Sequence, residues 1–313
     1  QMCIRDRVKV MRTDSTCAQE FVRDEHQSVA TRKTAKAAGA AEGVNTLASY
    51  LKSDVDLNIP VSKVKQEKTF AVIIANENYQ EEVNVEFALN DGMAFREYCV
   101  KLLGIPKSNL HIRKDATLNN MLAEINWMQN IAKAYGAEAR FIFYYAGHGM
   151  PDESNGTSYL LPVDGKSNIL ATGYSMSRLY AELNGLNAAC VTVLMDACFS
   201  GSKRGEGMLA SARGVALKAK AEAPKGNMLV MTAAQGSETA YPYKEKKHGL
   251  FTYFLLKKLQ ESKGKVTYGD LFDYVKTNVA QKSVVVNEKS QTPTIAVSGD
   301  LVSTWQGIRL NED

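Results

Sequence analysis

From about residue 69 onward, two kinds of hydrophobic pattern alternate along this chain. Continuous apolar runs rich in β-branched and aromatic side chains predict strands buried on both faces. These runs are Thr69–Ala75, Leu110–Arg113, Arg140–Tyr145, Cys190–Met195, Asn227–Ala233 and Thr294–Val297, with Ser158–Pro162 as a shorter extended piece. Between them, apolar residues at helical spacing predict helices over Glu86–Leu103, Leu118–Tyr135, Ser175–Leu183, Leu250–Gln260 and Tyr268–Val279. In the second helix the apolar positions are Leu118, Met121, Leu122, Ile125, Met128, Ile131 and Tyr135, a 3.6-residue period that stops at Gly136. Gly104 and Pro106 close the first helix, and Ser175 can cap the third. Strands alternating with helices predict an α/β fold, a mostly parallel sheet with helices on both faces.

Two stretches break the alternation. Residues 1–65 lack a usable period, and Thr31 to Gly43 is rich in Ala, Lys and Gly, with little to bury. They read as a poorly defined N-terminal tail or partial upstream segment, which leaves residues 66–313 as the folded domain, entered at Pro60. Residues 202–226 carry Lys203, Arg204, Arg213, Lys218, Lys220 and Lys225 with little apolar periodicity. They read as a solvated helical loop or as a processed linker.

Composition narrows the function classes only slightly. Of the 313 residues, 45% are hydrophobic and 23% charged, ordinary for a globular protein. A net charge of +4 is small for this length and argues for no nucleic acid or other polyanionic partner. No apolar run approaches the ~20 residues of a membrane helix. No signal-peptide pattern is visible, although the chain begins at Gln1, as a fragment would. Five scattered cysteines make no disulfide framework, and Cys99, Cys190 and Cys198 sit in or beside apolar segments. That suits a reducing compartment or simple burial, and a cytoplasmic location is expected.

The candidate chemistry lies where two of the apolar runs stop. Phe141-Ile142-Phe143-Tyr144-Tyr145-Ala146 ends at Gly147-His148-Gly149, and Val191-Thr192-Val193-Leu194-Met195 runs into Asp196-Ala197-Cys198-Phe199-Ser200-Gly201. In an open α/β sheet, function sits just past the carboxyl ends of the strands. Neighbouring strands would bring the imidazole of His148 and the thiol of Cys198 to one rim, as a cysteine nucleophile and its base require. Gly147 and Gly149 favour this reading over a packed structural histidine, because paired glycines admit close backbone approach. Cys190 begins the same run as Cys198 without a turn after it and reads as core. His26, His111 and His248 lack such context and read as surface or packing residues. No second Cys or His stands at ligand spacing from His148 or Cys198, so neither a metal nor a cofactor is expected. The Asp152 to Gly156 stretch lacks the acidic ladder of a calcium loop and reads as a polar turn.

Tyr145-Ala146-Gly147-His148-Gly149 and Asp196-Ala197-Cys198-Phe199-Ser200-Gly201 resemble the His and Cys motifs of the caspase-like cysteine peptidases, in their bacterial and metacaspase branch. The 50 residues from His148 to Cys198 are themselves a mark of caspases, so that spacing belongs to the resemblance. The resemblance runs from about Lys68 to about Ser298. It implies a caspase-like three-layer sandwich on a six-stranded sheet, a Cys198–His148 dyad that hydrolyses peptide bonds, and an oxyanion hole from the backbone amides of Gly149 and Cys198. It further implies that Asp196 and Asp91, the latter in Ala88-Leu89-Asn90-Asp91, line an acidic substrate pocket selecting Arg or Lys. Two departures touch the pocket walls: Ala146 stands where many metacaspases have Ser, and Ala88 where some have Cys. Asp164 also matches the family and reads as structural. The implied partners are protein or peptide substrates, including this chain's own 202–226 connector. The rival reading is a catalytically inactive caspase homologue serving as an interaction module. A flavodoxin-like domain would want a glycine-rich turn after the first strand, where the chain has Ala75-Asn76-Glu77-Asn78-Tyr79.

Overall fold

In the computed structural model, the predicted apolar runs become the strands of one six-stranded sheet. The structure describes residues 53–152, 154, 156–199, 224–236 and 238–311. Residues 1–52 of the expected N-terminal segment and 202–223 of the expected connector lie outside the described residues.

The sheet consists of β1 (Thr69–Ala75), β2 (Leu110–Lys114), β3 (Arg140–Ala146), β7 (Cys190–Asp196), β8 (Met228–Thr232) and β11 (Thr294–Val297). Their order is β11-β8-β7-β3-β1-β2, parallel throughout except for the antiparallel edge strand β11. A second sheet of three short strands holds β4 (Gly149–Pro151), β5 (Ser158–Leu160) and β6 (Tyr174–Ser175). A two-stranded ribbon holds β9 (Pro242–Tyr243) and β10 (His248–Gly249). The helices are α1 (Ala88–Lys101), α2 (Leu118–Tyr135), α3 (Met176–Asn184), α4 (Leu250–Glu261) and α5 (Tyr268–Asn287).

Strand side chains alternate between two cores, as the two-residue period dictates. Ala71, Ile73, Ile142, Tyr144, Leu194 and Met231 pack with α1, α4 and α5 on one face. Phe70, Val72, Phe141, Phe143, Val193 and Val230 pack with α2 and α3 on the other. This is the expected three-layer α/β sandwich. On α4, Phe251, Leu255, Leu256 and Leu259 are fully buried, each worth about 1.5–3 kcal/mol in transfer terms.

Helix ends follow local chemistry. Thr117 accepts from the Asn120 amide at the start of α2, and Ser175 from the Arg178 amide at the start of α3, as the sequence suggested. Asp164 accepts from the Leu118 amide, a structural role at the same helix end. The first helix begins at Ala88 rather than Glu86, because Phe87 is left-handed at φ 70°. The last helix continues past Val279 to Asn287.

Residues 53–65 are packed against the domain, although the sequence offers no period there. Val55 is fully buried and its carbonyl accepts from Tyr98 Oη at 2.7 Å. Asp54 pairs with Lys246 and Lys257 at 2.9 and 2.8 Å. Further on, the Ser62 amide donates to the Lys101 carbonyl, and the Gln66 amide to that of Gly104. This strap fastens α1 to α4 ahead of the first strand.

Candidate active site

The two candidate residues are delivered by strand register. β3 and β7 are adjacent and parallel, with Ala146 opposite Asp196. His148 and Cys198 each stand two residues beyond that matched pair. The Gly147 amide donates to the Asp196 carbonyl at 3.3 Å, which carries the pairing one step past the strands. His148 and Cys198 are both nearly covered, at 5% and 2% exposure.

Close approach explains the two glycines. A Cβ on Gly149 would lie 2.6 Å from the Cys198 carbonyl oxygen and 2.6 Å from the Phe199 ring. A Cβ on Gly147 would lie 2.7 Å from Tyr79 Oη and 2.8 Å from Tyr145 Oη. The His loop and the Cys loop thus touch at a point only glycine fits. Gly149→Ala must push the Cys198 backbone aside. We expect a loss of about a hundredfold in kcat/KM with the fold retained, read from kinetics beside circular dichroism. Unchanged kinetics would show that the contact does not position the thiol.

The His148 imidazole is held by groups the sequence did not reveal. Its Nε2 lies 2.7 Å from the Val83 carbonyl, in the loop after β1. A carbonyl only accepts, so this bond places a proton on Nε2 and leaves Nδ1 as the basic nitrogen of the neutral ring. The His148 amide donates to Tyr79 Oη at 2.8 Å, and the Tyr79 ring packs on the imidazole at 4.7 Å between centroids. Burial pushes the Tyr79 and Tyr145 hydroxyls well above their ordinary pKa, so both act as neutral hydrogen-bonding groups. Tyr145 Oη lies 2.7 Å from the His148 carbonyl.

The same loop orients Gly149. The Leu161 amide donates to the His148 carbonyl at 2.9 Å, which makes Gly149 and Leu160 a non-hydrogen-bonded pair of the antiparallel ladder. The Gly149 N–H is therefore turned away from β5.

Asp196 and Asp91, the candidate substrate-binding carboxylates, are both fully buried. Asp196 Oδ2 accepts from the Thr252 hydroxyl at 2.7 Å and from its amide at 3.2 Å, in the first turn of α4. Asp91 accepts from His248 Nδ1 at 2.7 Å and from the Gly249 amide at 3.0 Å. The structure gathers both carboxylates under the N-terminal end of α4, where backbone N–H groups and the helix dipole favour negative charge. His248, which the sequence suggested was a surface or packing residue, is fully buried between carboxylates. Cys190 is core, as expected.

Among the described residues no group of three His, Cys, Asp or Glu side chains could hold a metal ion, and no helix is long and apolar enough to cross a membrane. Asp152 closes a polar turn by accepting from the Ser154 amide and hydroxyl.

The sequence from residue 68 to residue 300 matches the protein family described as Caspase domain. No curated protein matches the chain. Among solved structures, protein GSU0716 from Geobacter sulfurreducens is similar at 19% identity and a TM-score of 0.55, covering 74% of this chain and 93% of its own. Caspase-1 from Spodoptera frugiperda is similar at 15% identity and a TM-score of 0.53, covering 80% of this chain and 94% of its own. At such identities the likeness is one of fold.

Proposed function

This chain belongs to the caspase domain family, a family of cysteine peptidases, and on that premise we propose that it is an endopeptidase working through Cys198 and His148. The observation that carries the reading is the strand register, which puts both residues two positions past the matched pair Ala146 and Asp196. His148 Nδ1, left basic by the Val83 carbonyl on Nε2, takes the Cys198 proton. The thiolate attacks the peptide carbonyl, and negative charge develops on its oxygen. The Gly149 amide, turned out of its ladder, and the Cys198 amide serve as the donors for that charge. The imidazolium then protonates the leaving amine, and water hydrolyses the acyl-thioester. No cofactor enters any step. Hydrolysis of a denatured protein, measured with and without prior treatment by iodoacetamide, tests this. The account expects hydrolysis that alkylation removes. A folded chain that cleaves nothing would favour the interaction-module reading.

The finer proposal is cleavage after Arg or Lys, supported by the two carboxylates Asp91 and Asp196 below the Cys198 segment. Two buried carboxylates suit a guanidinium or ammonium and repel an acidic side chain. In this structure Asp91 shares its charge with His248, and Asp196 is held by Thr252. A basic substrate side chain would have to be accommodated alongside those bonds.

If the site takes Arg or Lys, the chain offers its own substrates in 202–226, at Lys203, Arg204, Arg213, Lys218, Lys220 or Lys225. Purified wild type is expected to accumulate a break there during incubation, detected by intact mass. Cys198→Ala is expected to stay whole. A break in both proteins would point to a contaminating protease.

A further inference from the structure

His248 is buried in the two-residue strand β10, and no step proposed above uses it. Its Nδ1 lies 2.7 Å from Asp91 Oδ1 on α1. Its Nε2 lies 3.2 and 3.3 Å from the two carboxylate oxygens of Asp56 on the strap. Carboxylates accept and do not donate, so bonds on both sides require a proton on each nitrogen, the imidazolium form. Burial alone would lower the pKa of this ring. The hydrogen bonds that the ring donates to Asp56 and Asp91, with their charges, outweigh it and raise the value to about 9.

The bonds continue from this imidazolium to the candidate nucleophile. Asp91 also takes the amide of Gly249, the N-cap of α4. Three residues on, Thr252 gives both its amide and its hydroxyl to Asp196, two residues before Cys198. Tyr144 Oη on β3 lies 2.7 Å from the same Thr252 hydroxyl. At the far end, Asp56 stands upstream of residue 68, where the family match begins.

We infer that His248, clasped between Asp56 of the strap and Asp91 of α1, is a positioning residue that sets the first turn of α4 and, through Thr252 and Asp196, the segment carrying Cys198. Asp56, outside the matched domain, thereby belongs to the working site. The inference rests on the proposal that Cys198 is the nucleophile.

The clasp is sensitive to pH in one direction. A raised pKa means its electrostatic contribution is full below the ordinary value of 6.5 and is lost as pH rises through about 9. The titratable groups packed around it are Asp54, Lys246, Lys257, Tyr98, Tyr253 and, opposite it on β9, Tyr243. Asp54 is held well below the usual carboxylate range: burial opposes this, but hydrogen bonds from Lys257 and Lys246 prevail. Those two lysines are themselves held above their usual value, chiefly by their bonds to Asp54. Tyr98 on α1 and Tyr253 on α4 are pushed up by burial, with the acidic strap adding to it, and stay neutral.

The test compares wild type with Asp56→Asn and Asp54→Asn. Asp56→Asn removes one charge from His248 and keeps the side chain's shape. Asp54→Asn weakens the strap through Lys246 and Lys257 without touching His248. Hydrolysis and Cys198 alkylation are each followed from neutral to alkaline pH, with thermal melts in parallel. In Asp56→Asn the alkaline loss of activity is expected about one unit or more below its wild-type position. Its kcat is expected to fall about tenfold at neutral pH. In Asp54→Asn the melt should drop with the pH limb unmoved. If both variants merely lower the melt, or if Asp56→Asn leaves the limb in place, the positioning role is overturned. If no protein hydrolyses peptides, the proposed function fails separately. The pH dependence of Cys198 alkylation then decides on the clasp alone: a downward shift in Asp56→Asn supports it, and an unshifted limb overturns it.

Discussion

Cys198→Ala is expected to abolish peptide hydrolysis, and His148→Ala to reduce it by a factor of about 10⁴ or more, because a nucleophile and its base act as a unit. The double variant should be little worse than either single one. Both substitutions are small to the fold. Cys198 lies two residues past the end of β7, and the His148 loop keeps its backbone bonds to Tyr79 and Leu161. Cys190→Ala is the control. It sits at the start of the same strand, within the core, and should cost stability while leaving turnover intact. Steady-state kinetics on one peptide substrate, with thermal melts for each variant, measures all four. Normal turnover by Cys198→Ala would remove the assignment.

Peptides with Arg or Lys before the cut bond are expected to be hydrolysed faster than their Asp counterparts by a factor of about 10³ or more in kcat/KM. An aspartate side chain placed against Asp91 and Asp196 would add a further like charge to a buried cluster whose imidazolium, His248, is already shared between Asp91 and Asp56. Asp196→Asn should lose much of the basic preference while Cys198 still reacts with iodoacetamide. A peptide library profiled at the cut position checks this, and cleavage after Asp would sink the acidic-pocket assignment.

Much of this architecture was legible because the central strands are buried on both faces. Such strands are apolar at nearly every position, so Thr69–Ala75 and Cys190–Met195 announce themselves as runs. The site motifs were legible for a related reason, since polar and small residues end those runs abruptly at the sheet rim. Strands of two or three residues left no such trace, apart from β5, which falls in the expected Ser158–Pro162 piece. β4, β6, β9 and β10 are too short for any period, and they are held by tertiary partners. His248 illustrates the cost. It follows Lys244, Glu245, Lys246 and Lys247, a charged run that looks solvated. Its carboxylate partners lie 157 and 192 residues away along the chain. Nothing local could mark it as buried. The strap was obscure for the same reason: one buried valine and two acidic residues make no period, and their partners are on α1, β10 and α4. The Val83 carbonyl was invisible because any residue supplies one.

The central claim is that Cys198 is a peptide-directed nucleophile, and covalent labelling addresses it most directly. The wild-type chain would be incubated with a peptidyl acyloxymethyl ketone ending in Arg, digested, and mapped by tandem mass spectrometry. The account predicts one adduct, on Cys198, with the buried Cys99 and Cys190 unlabelled. It predicts that His148→Ala slows the labelling by orders of magnitude and that an Asp-ended analogue labels poorly. A chain that stays folded yet takes no label on Cys198, or takes it equally on its other cysteines, would contradict the claim.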